Sequence, residues 1–354
     1  MNAGRHGREL KAALTGRTFG PPLFDYLVIG GGLSLIVTAL VRLHPAGGGL
    51  VAVEALPTFL LLSNAAHFAA STVRLYTKPG SYQALPFLTL GLPLSALVAL
   101  SLCIALADRI GPHLQALYLT WSPYHYAAQA YGLAVLYAMR SGCRLTRLDQ
   151  RLLWWVAMLP FFYNAVSAGG VGLHWLLPES ALDGPAARAA LGATRTALLV
   201  LALATPPLLF ARIWRGPAGP PPLISLLAVV TNGVWFFVLP PLEAFVYATI
   251  FHGLQYLAIV IIFHVKDQLA REGNRHGPVH HALRFYGTCL LLGYALFNCL
   301  PLAYVLAGFG RIESVMLVVA AINIHHFIVD AFIWKLGRDA GNRRVVEAGV
   351  PAPA

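Results

Sequence analysis

Long apolar stretches alternate with short polar segments along almost the whole chain. Ten of these stretches are long enough to cross the roughly 30 Å hydrocarbon core of a bilayer as helices. They are Leu23–Val41, Leu50–Ala70, Pro86–Ala107, Leu114–Ala138, Leu152–Gly170, Leu191–Ala211, Leu223–Leu239, Leu242–Val265, Leu283–Ala307 and Val315–Trp334. Proline and glycine pairs such as Gly111-Pro112 fall between them and predict helix ends. The pattern predicts an all-α, polytopic membrane protein of about ten transmembrane helices.

Composition supports this prediction. Of the 354 residues, 58% are hydrophobic and only 11% are charged. So few charges cannot cover a water-soluble protein of this size, which excludes a conventional soluble enzyme and a disordered chain. The four cysteines have no C-x-x-C spacing and lie mostly in apolar stretches, so we interpret them as small buried side chains.

The net charge of +11 could indicate nucleic acid, but the basic residues lie at the predicted helix ends. With a cytoplasmic N-terminus and ten spans, 20 of the 25 lysines and arginines fall on the cytoplasmic side. We therefore predict a multi-pass protein of the cell inner membrane with both termini cytoplasmic and no nucleic-acid partner. Residues 1–21 form the basic N-terminus, 22–336 a single transmembrane domain and 337–354 a cytoplasmic tail.

The chain contains 13 histidines, which is a large number for so apolar a sequence and points to candidate functional residues. Five of them fall inside predicted spans: His67, His125, His252, His325 and His326. Turned toward lipid, each would cost free energy, so they should face other helices and find partners there. All five lie on even-numbered spans, which run in one direction. His125 and His252 are expected near mid-membrane and the others in the cytoplasmic half, so we predict that the imidazoles meet at one point and hold a metal ion.

Most of these histidines have a polar companion three or four residues away on the same helical face. The pairs are Asn64 with His67, His125 with Gln129, His252 with Gln255, Asn323 with His326, and His326 with Asp330. A metal-bound imidazole needs its second nitrogen oriented by an amide or a carboxylate, and these companions suit that task. Asp330 could be a ligand, an orienting group or a proton acceptor. A single membrane histidine is more often a hydrogen-bonded packing residue, which is the alternative for each of the five.

A second group of histidines lies at the end of the eighth span and in the loop after it: His264, His276, His280 and His281. The spacing His276-x-x-x-His280-His281 is similar to motifs of membrane desaturases and hydroxylases. Those enzymes use several such boxes, and no second box occurs here. We interpret His276, His280 and His281 as a solvated basic loop and leave His264 open.

Three short segments resemble the Brp/Blh-type bacterial membrane oxygenases that cleave β-carotene to retinal. His67-Phe68 is similar to a His-Phe pair of that family, and Phe251-His252 to its Phe-x-His segment. The segment His325-His326-Phe-Ile-Val-Asp330 is similar to a late helix of the family in which an aspartate follows a histidine by five residues. The family's Pro-His-Gly segment is replaced by Tyr124-His125-Tyr126.

The resemblance implies non-haem Fe²⁺ held by histidines inside a helical bundle. Imidazole and carboxylate ligands with open coordination positions are typical of iron sites that activate dioxygen. We expect an oxygenase, of dioxygenase, hydroxylase or desaturase type, that acts on an isoprenoid or fatty chain entering from the bilayer. His67, His125, His252 and His325 or His326 would ligate iron, with Asp330 orienting or completing the ligand set. Gln129, Gln255 and Tyr256 would shape the pocket.

Three alternatives stay open. Two facing histidines, most naturally His125 and His252, could bind haem b for electron transfer or gas sensing. The histidines could instead relay protons in a transporter, which predicts broken helices and inverted repeats. A membrane acyltransferase with one catalytic histidine is the third.

Overall fold

The described part of the chain is built from helices joined by turns and short loops. The structure, a computed structural model, describes residues 14–43, 55–78, 80–167, 173, 177–334 and 340–347, and these ranges contain no strand. The principal helices are α1 (Gly32–Leu43), α2 (Ala66–Thr77), α3 (Leu92–Ala105), α4 (Ala107–Arg140), α5 (Arg147–Ala165), α6 (Pro185–Arg215), α7 (Leu223–Val238), α8 (Pro241–Leu269), α9 (Pro278–Tyr294), α10 (Leu300–Leu306), α11 (Arg311–Ile333) and α12 (Ala340–Glu347). The all-α prediction is confirmed.

Fewer helices than predicted qualify as membrane spans. Among the described residues, five are long and apolar enough: Phe87–Ala105, Pro185–Arg215, Glu243–Leu269, Pro278–Leu306 and Arg311–Ile333. A sixth arises if Pro22–Ile29 and α1, bent by 53°, count as one span. The structure thus supports several apolar spans of a membrane protein but does not confirm ten.

Four predicted spans are not among these helices, and three of them have identifiable causes. The stretch predicted from Leu50 begins outside the described residues and is then divided into a four-residue α-helix (Leu56–Phe59), a π-helical segment (Leu60–Ala65) and α2. α7 is apolar but only 16 residues long. α4 is long enough, yet it carries His125, Gln129 and other polar residues along its 34 residues. α4 also begins at Ala107. Gly111-Pro112 therefore lies inside this helix, whereas the sequence predicted that the pair would lie between two spans.

Several of the apolar helices present their side chains outward. On α3, Leu94 and Leu102 are more than half exposed, as are Leu203 and Leu208 on α6. A soluble protein rarely exposes such continuous apolar faces, whereas lipid solvates them without penalty. These faces therefore fit contact with the hydrocarbon of a membrane.

The chain divides into two compact units, each built from separated segments. The first comprises residues 1–50, 123–255 and 343–354, and contains α1, the second half of α4, α5 to α7 and the first half of α8. The bend before α1 lies at Gly31, whose φ of +81° suits glycine. A Cβ there would lie 2.4 Å from Thr231 Oγ1, so only glycine fits this close approach to α7.

The second unit comprises residues 51–122 and 256–342. It contains α2, α3, the first half of α4, the second half of α8, and α9 to α11. Phe68, Leu100, Ile104 and Leu317 belong to one of its buried apolar clusters. The prediction that 22–336 form a single membrane domain stays a prediction.

The start of α5 carries a pH-sensitive capping network in the first unit. Thr146 is the N-cap, its hydroxyl accepts from Asp149 N (3.1 Å), and the Asp149 carboxylate accepts from Thr146 N (3.1 Å). Arg212 also donates to Asp149. Burial raises the pKa of Asp149, but these hydrogen bonds and the Arg212 charge outweigh burial and hold the pKa below its usual value.

We expect Asp149→Asn to lower the free energy of unfolding by about 1 kcal/mol at neutral pH. A carboxylate with a depressed folded-state pKa stabilises the fold above its unfolded pKa of about 4 and loses that effect as the pH falls through the folded value. The gap between variant and parent should therefore shrink below about pH 4. Thermal unfolding in detergent across pH measures it; a gap that stays constant down to pH 2 would contradict the prediction.

Candidate functional site

One face of α2 carries three buried polar side chains in the second unit. His67, Ser71 and Arg74 are spaced i, i+4 and i+7, which places them on one side of a helix. His67 and Ser71 are completely buried and Arg74 is 3% exposed. Burying imidazole, hydroxyl and guanidinium groups is costly unless each has polar partners. The face is therefore a polar stripe that other helices must satisfy.

α11 supplies the matching stripe through Asn323, His326 and Asp330. All three are buried, and His326 is completely so. The His326 and His67 rings touch edge to face, with centroids 4.3 Å apart. His326 Nε2 lies 3.5 Å from Asp330 Oδ2. Two imidazoles and a carboxylate thus lie side by side inside this unit.

Ser71 contacts one of the two ring nitrogens of His326. Its hydroxyl donates to Phe68 O (3.3 Å), and its Oγ lies 2.9 Å from His326 Nδ1. When Nδ1 carries the proton, Oγ accepts from it and the lone pair lies on Nε2, the nitrogen that faces Asp330. This is the tautomer that a metal ion bound at Nε2 requires. The second nitrogen of a metal-bound histidine is oriented in this way.

Asp330 is held by Tyr256, whose hydroxyl donates to Asp330 Oδ1. The other oxygen, Oδ2, faces His326 Nε2 across 3.5 Å, longer than a normal N–H···O bond. That separation suits two ligands that flank a shared cation. The Tyr256 ring also packs on the His67 ring, with centroids 4.7 Å apart. Tyr256 therefore orients the carboxylate and supports one imidazole.

Arg74 closes the end of this polar stripe. Its guanidinium donates to Asp267 Oδ2 (3.2 Å) and to Asn342 Oδ1 (2.5 Å). It also lies over the rings of Phe263 and Trp334, at 5.8 and 5.4 Å from their centroids. A buried charge with this many partners is firmly held, so it fixes the ends of α2 and α8 in this unit.

A backbone contact sets the position of His67. α9 approaches the π-helical segment Leu60–Ala65 so closely that a Cβ on Gly293 would lie 2.7 Å from Ala65 C and O. Ala65 ends that segment two residues before His67. π-helical segments are frequent at functional sites, where an extra residue re-aims the side chains that follow. Gly293 therefore permits the geometry that aims His67.

The first unit contains a second pair of histidines. The rings of His125 on α4 and His252 on α8 are 4.9 Å apart edge to face, and both residues are buried. Donor nitrogens of the two lie within 4.8 Å of each other. Tyr126 packs on His252 at 4.5 Å and hydrogen-bonds to Thr249 Oγ1 (2.8 Å).

The two glutamines predicted to orient these histidines bind backbone instead. Gln129 donates to the His252 carbonyl (3.2 Å), and Gln255 donates to the Ile29 carbonyl at the bend before α1 (3.1 Å). Gln129 Oε1 is buried without a hydrogen-bond partner among the described residues. These amides therefore join α4, α8 and the broken first helix, and Gln129 keeps one acceptor for a ligand.

The remaining predicted residues make no hydrogen bond to His67 or His326 in the described part of the chain. The His325 ring contacts no other described histidine, and its Nε2 is buried without a hydrogen bond in the described part of the chain. Asn323 donates to Val319 O (2.8 Å) on its own helix, not to His326. Asn64 lies in the π-helical segment with Oδ1 buried and unbonded to any described residue. His326, and not His325, is thus the histidine that adjoins Asp330.

The second histidine group lies at the start of α9 and at the end of α8. The exposed rings of His276 and His280 stack at 4.0 Å, and His281 Nε2 lies 2.8 Å from Asn274 Oδ1. Parallel stacking turns the ring faces, not the nitrogens, toward each other. His264 packs on Phe285 at 4.3 Å. The prediction of a solvated loop therefore holds for His276 but is wrong for His280 and His281, which lie in the first turn of α9, where His281 is buried.

Ser71 is the site residue that the sequence interpretation missed. Its signal was present, since it follows His67 by four residues and so shares its face. Serine is common in membrane helices, however, and usually bonds to its own backbone.

We expect Ser71→Ala to weaken metal affinity by about 10- to 100-fold while the fold is retained, because His326 loses the acceptor that fixes its tautomer. Ser95→Ala is the control, since Ser95 Oγ bonds only to Leu92 O on its own helix. Metal titration of the two purified variants measures the effect. Equal affinities would contradict the role given to Ser71.

Comparisons with protein-family models, curated proteins and solved structures give no match for this chain. The resemblance to the β-carotene-cleaving oxygenases therefore stays a prediction.

Proposed function

We propose that the second unit contributes His326 and Asp330 as ligands of a non-haem iron ion, with the His67 imidazole packed beside them as a further ligand. The observation that carries this proposal is the arrangement around His326: Nδ1 is engaged by Ser71, and Nε2 faces a carboxylate oxygen 3.5 Å away. Two histidines and one carboxylate with open positions are the ligand set of many Fe²⁺ oxygenases. The donors are all buried, as such a set requires.

The proposed activity is oxygenation of a lipophilic substrate, such as an isoprenoid or a fatty chain. Bound iron would supply dioxygen activation. The chain's own residues would do the rest: Ser71 and Tyr256 orient the ligands, and the apolar surroundings exclude water. Cleavage of a carbon–carbon double bond by a dioxygenase places one oxygen atom on each product and needs no reductant. Hydroxylation or desaturation would need two electrons from a separate donor.

His125 and His252 are kept as proposed metal ligands of the first unit. Their direct ring contact at 4.9 Å favours this role over axial ligation of haem b, because a macrocycle between the rings would force them apart. An absorption spectrum of the purified chain separates the two. A Soret band would support haem, and its absence in an iron-containing preparation would support the non-haem proposal.

We further propose that the chain crosses the cell inner membrane ten times and that both of its termini are cytoplasmic. The support is the location of 20 of 25 basic residues on one predicted side. Reporter fusions at each predicted loop test the topology; a periplasmic signal at either terminus would contradict it.

The activity is tested with the full chain in lipid vesicles, loaded with Fe²⁺ under ¹⁸O₂. One set of vesicles contains β-carotene and another contains unsaturated phospholipid alone. The proposal predicts ¹⁸O in a cleaved or hydroxylated product with the parent protein and none with His326→Ala. Iron-loaded parent protein that labels no product in either set, with or without an added electron donor, would refute these substrates.

A further inference from the structure

A shallow cleft of about 270 Å³ lies beside the first turns of α5 in the first unit. Tyr131, Arg147, Gln150, Arg151 and Trp154 line it. The lining therefore combines two guanidinium groups with two aromatic rings. No step of the proposed iron chemistry uses these residues.

The two arginines are notable for their lack of acidic partners. Arg147 and Arg151 are four residues apart, on one face of α5, and both are exposed. Neither forms a hydrogen bond or an ion pair with any residue that the structure describes. Asp149 is the nearby acid, but it is buried and already engaged by Thr146 and Arg212.

Helix stability does not explain these arginines. Basic residues in the first turns of a helix are opposed by the macrodipole, which favours negative charge there. An anion bound between the two guanidinium groups would offset this cost. Guanidinium groups are also well suited to phosphate oxygens, which they bind with paired hydrogen bonds.

The two aromatic rings indicate what the anion is attached to. Trp154 and Tyr131 are half-buried, and Trp154 follows Arg151 by three residues on the same face of α5. Tryptophan and tyrosine beside a basic cluster are typical of the water–membrane boundary, where the headgroup and the first methylenes of a lipid meet.

We propose that this cleft binds an anionic phospholipid, with the phosphate between Arg147 and Arg151 and the start of an acyl chain against Trp154. Gln150 is held by its bond to Leu145 O (3.1 Å) and borders the headgroup. The proposal relies on the membrane placement of the chain and not on its metal, so either can fail without the other.

Native mass spectrometry of the full chain in detergent, titrated with phosphatidylglycerol or phosphatidylcholine, tests the proposal. A variant with Arg147→Gln and Arg151→Gln removes the proposed ligands. The matched control carries Arg144→Gln and Arg215→Gln, two exposed arginines of the same unit and predicted side that do not line the cleft. A separate arm adds inorganic phosphate as competitor.

The proposal predicts preferential binding of phosphatidylglycerol by the parent and the control, and roughly 10- to 30-fold weaker binding by the cleft variant. Retained thermal unfolding shows that the variant is folded. Equal binding by the cleft variant and its control would overturn the proposal. Equal binding of phosphatidylcholine, or complete displacement by millimolar phosphate without lipid selectivity, would also overturn it.

Discussion

His326→Ala is expected to abolish stoichiometric metal binding and to lower metal affinity by more than about 100-fold. The residue contributes Nε2 beside Asp330, packs on His67 and is completely buried. Loss of residues that merely orient a ligand costs about 10- to 100-fold, so loss of the ligand should cost more. Competition with a metal chelator measures the affinity.

The neighbouring histidine provides the control for this prediction. His325→Ala removes an imidazole of the same type one residue away, from a position that adjoins neither His67 nor Asp330. The loss of metal affinity caused by His325→Ala should be smaller than the loss caused by His326→Ala, by a factor of about 10 or more. If the two variants lose metal equally, the prediction that His326 and not His325 binds the metal is wrong.

Gly293→Ala is expected to lower the free energy of unfolding by about 1–3 kcal/mol and to displace His67. The new Cβ would lie 2.7 Å from the Ala65 backbone, which cannot move aside as a flexible side chain can. Since Ala65 is two residues before His67, we expect metal retention to fall as well. Thermal unfolding and metal content of one preparation report both effects.

Gly287→Ala on the same helix is the matched control, because nothing lies within 4 Å of its Cβ position. There the exchange should stabilise α9 by about 0.5–1 kcal/mol, the usual gain of alanine over glycine in a helix. The two substitutions should thus shift stability in opposite directions. A destabilised Gly287→Ala, or an unaffected Gly293→Ala, would contradict the packing described for α9.

Local spacing predicted the parts of the site that lie on one helix. His326 and Asp330 are four residues apart, and the structure brings them to 3.5 Å. The burial of His67, His125, His252 and His326 also followed from the cost of facing lipid. Whether all five predicted histidines share one point stays a prediction.

Contacts between helices could not be predicted in the same way. The choice between His325 and His326 depends on how α11 is rotated against α2, and the role of Ser71 depends on that same contact. Gln129 and Gln255 satisfy carbonyls of other helices, which no spacing within one helix reveals. The hydropathy pattern predicted apolar spans, but it did not indicate the π-helical segment before α2 or the bend at Gly31.

The most direct test is the metal content of the purified full chain, combined with the electron paramagnetic resonance of its nitric oxide complex. The account predicts a stoichiometric amount of iron and a non-haem iron–nitrosyl signal, both lost in His326→Ala and retained in His325→Ala. An active preparation that contains no iron, or iron that stays bound with an unchanged signal after His326→Ala, would contradict it.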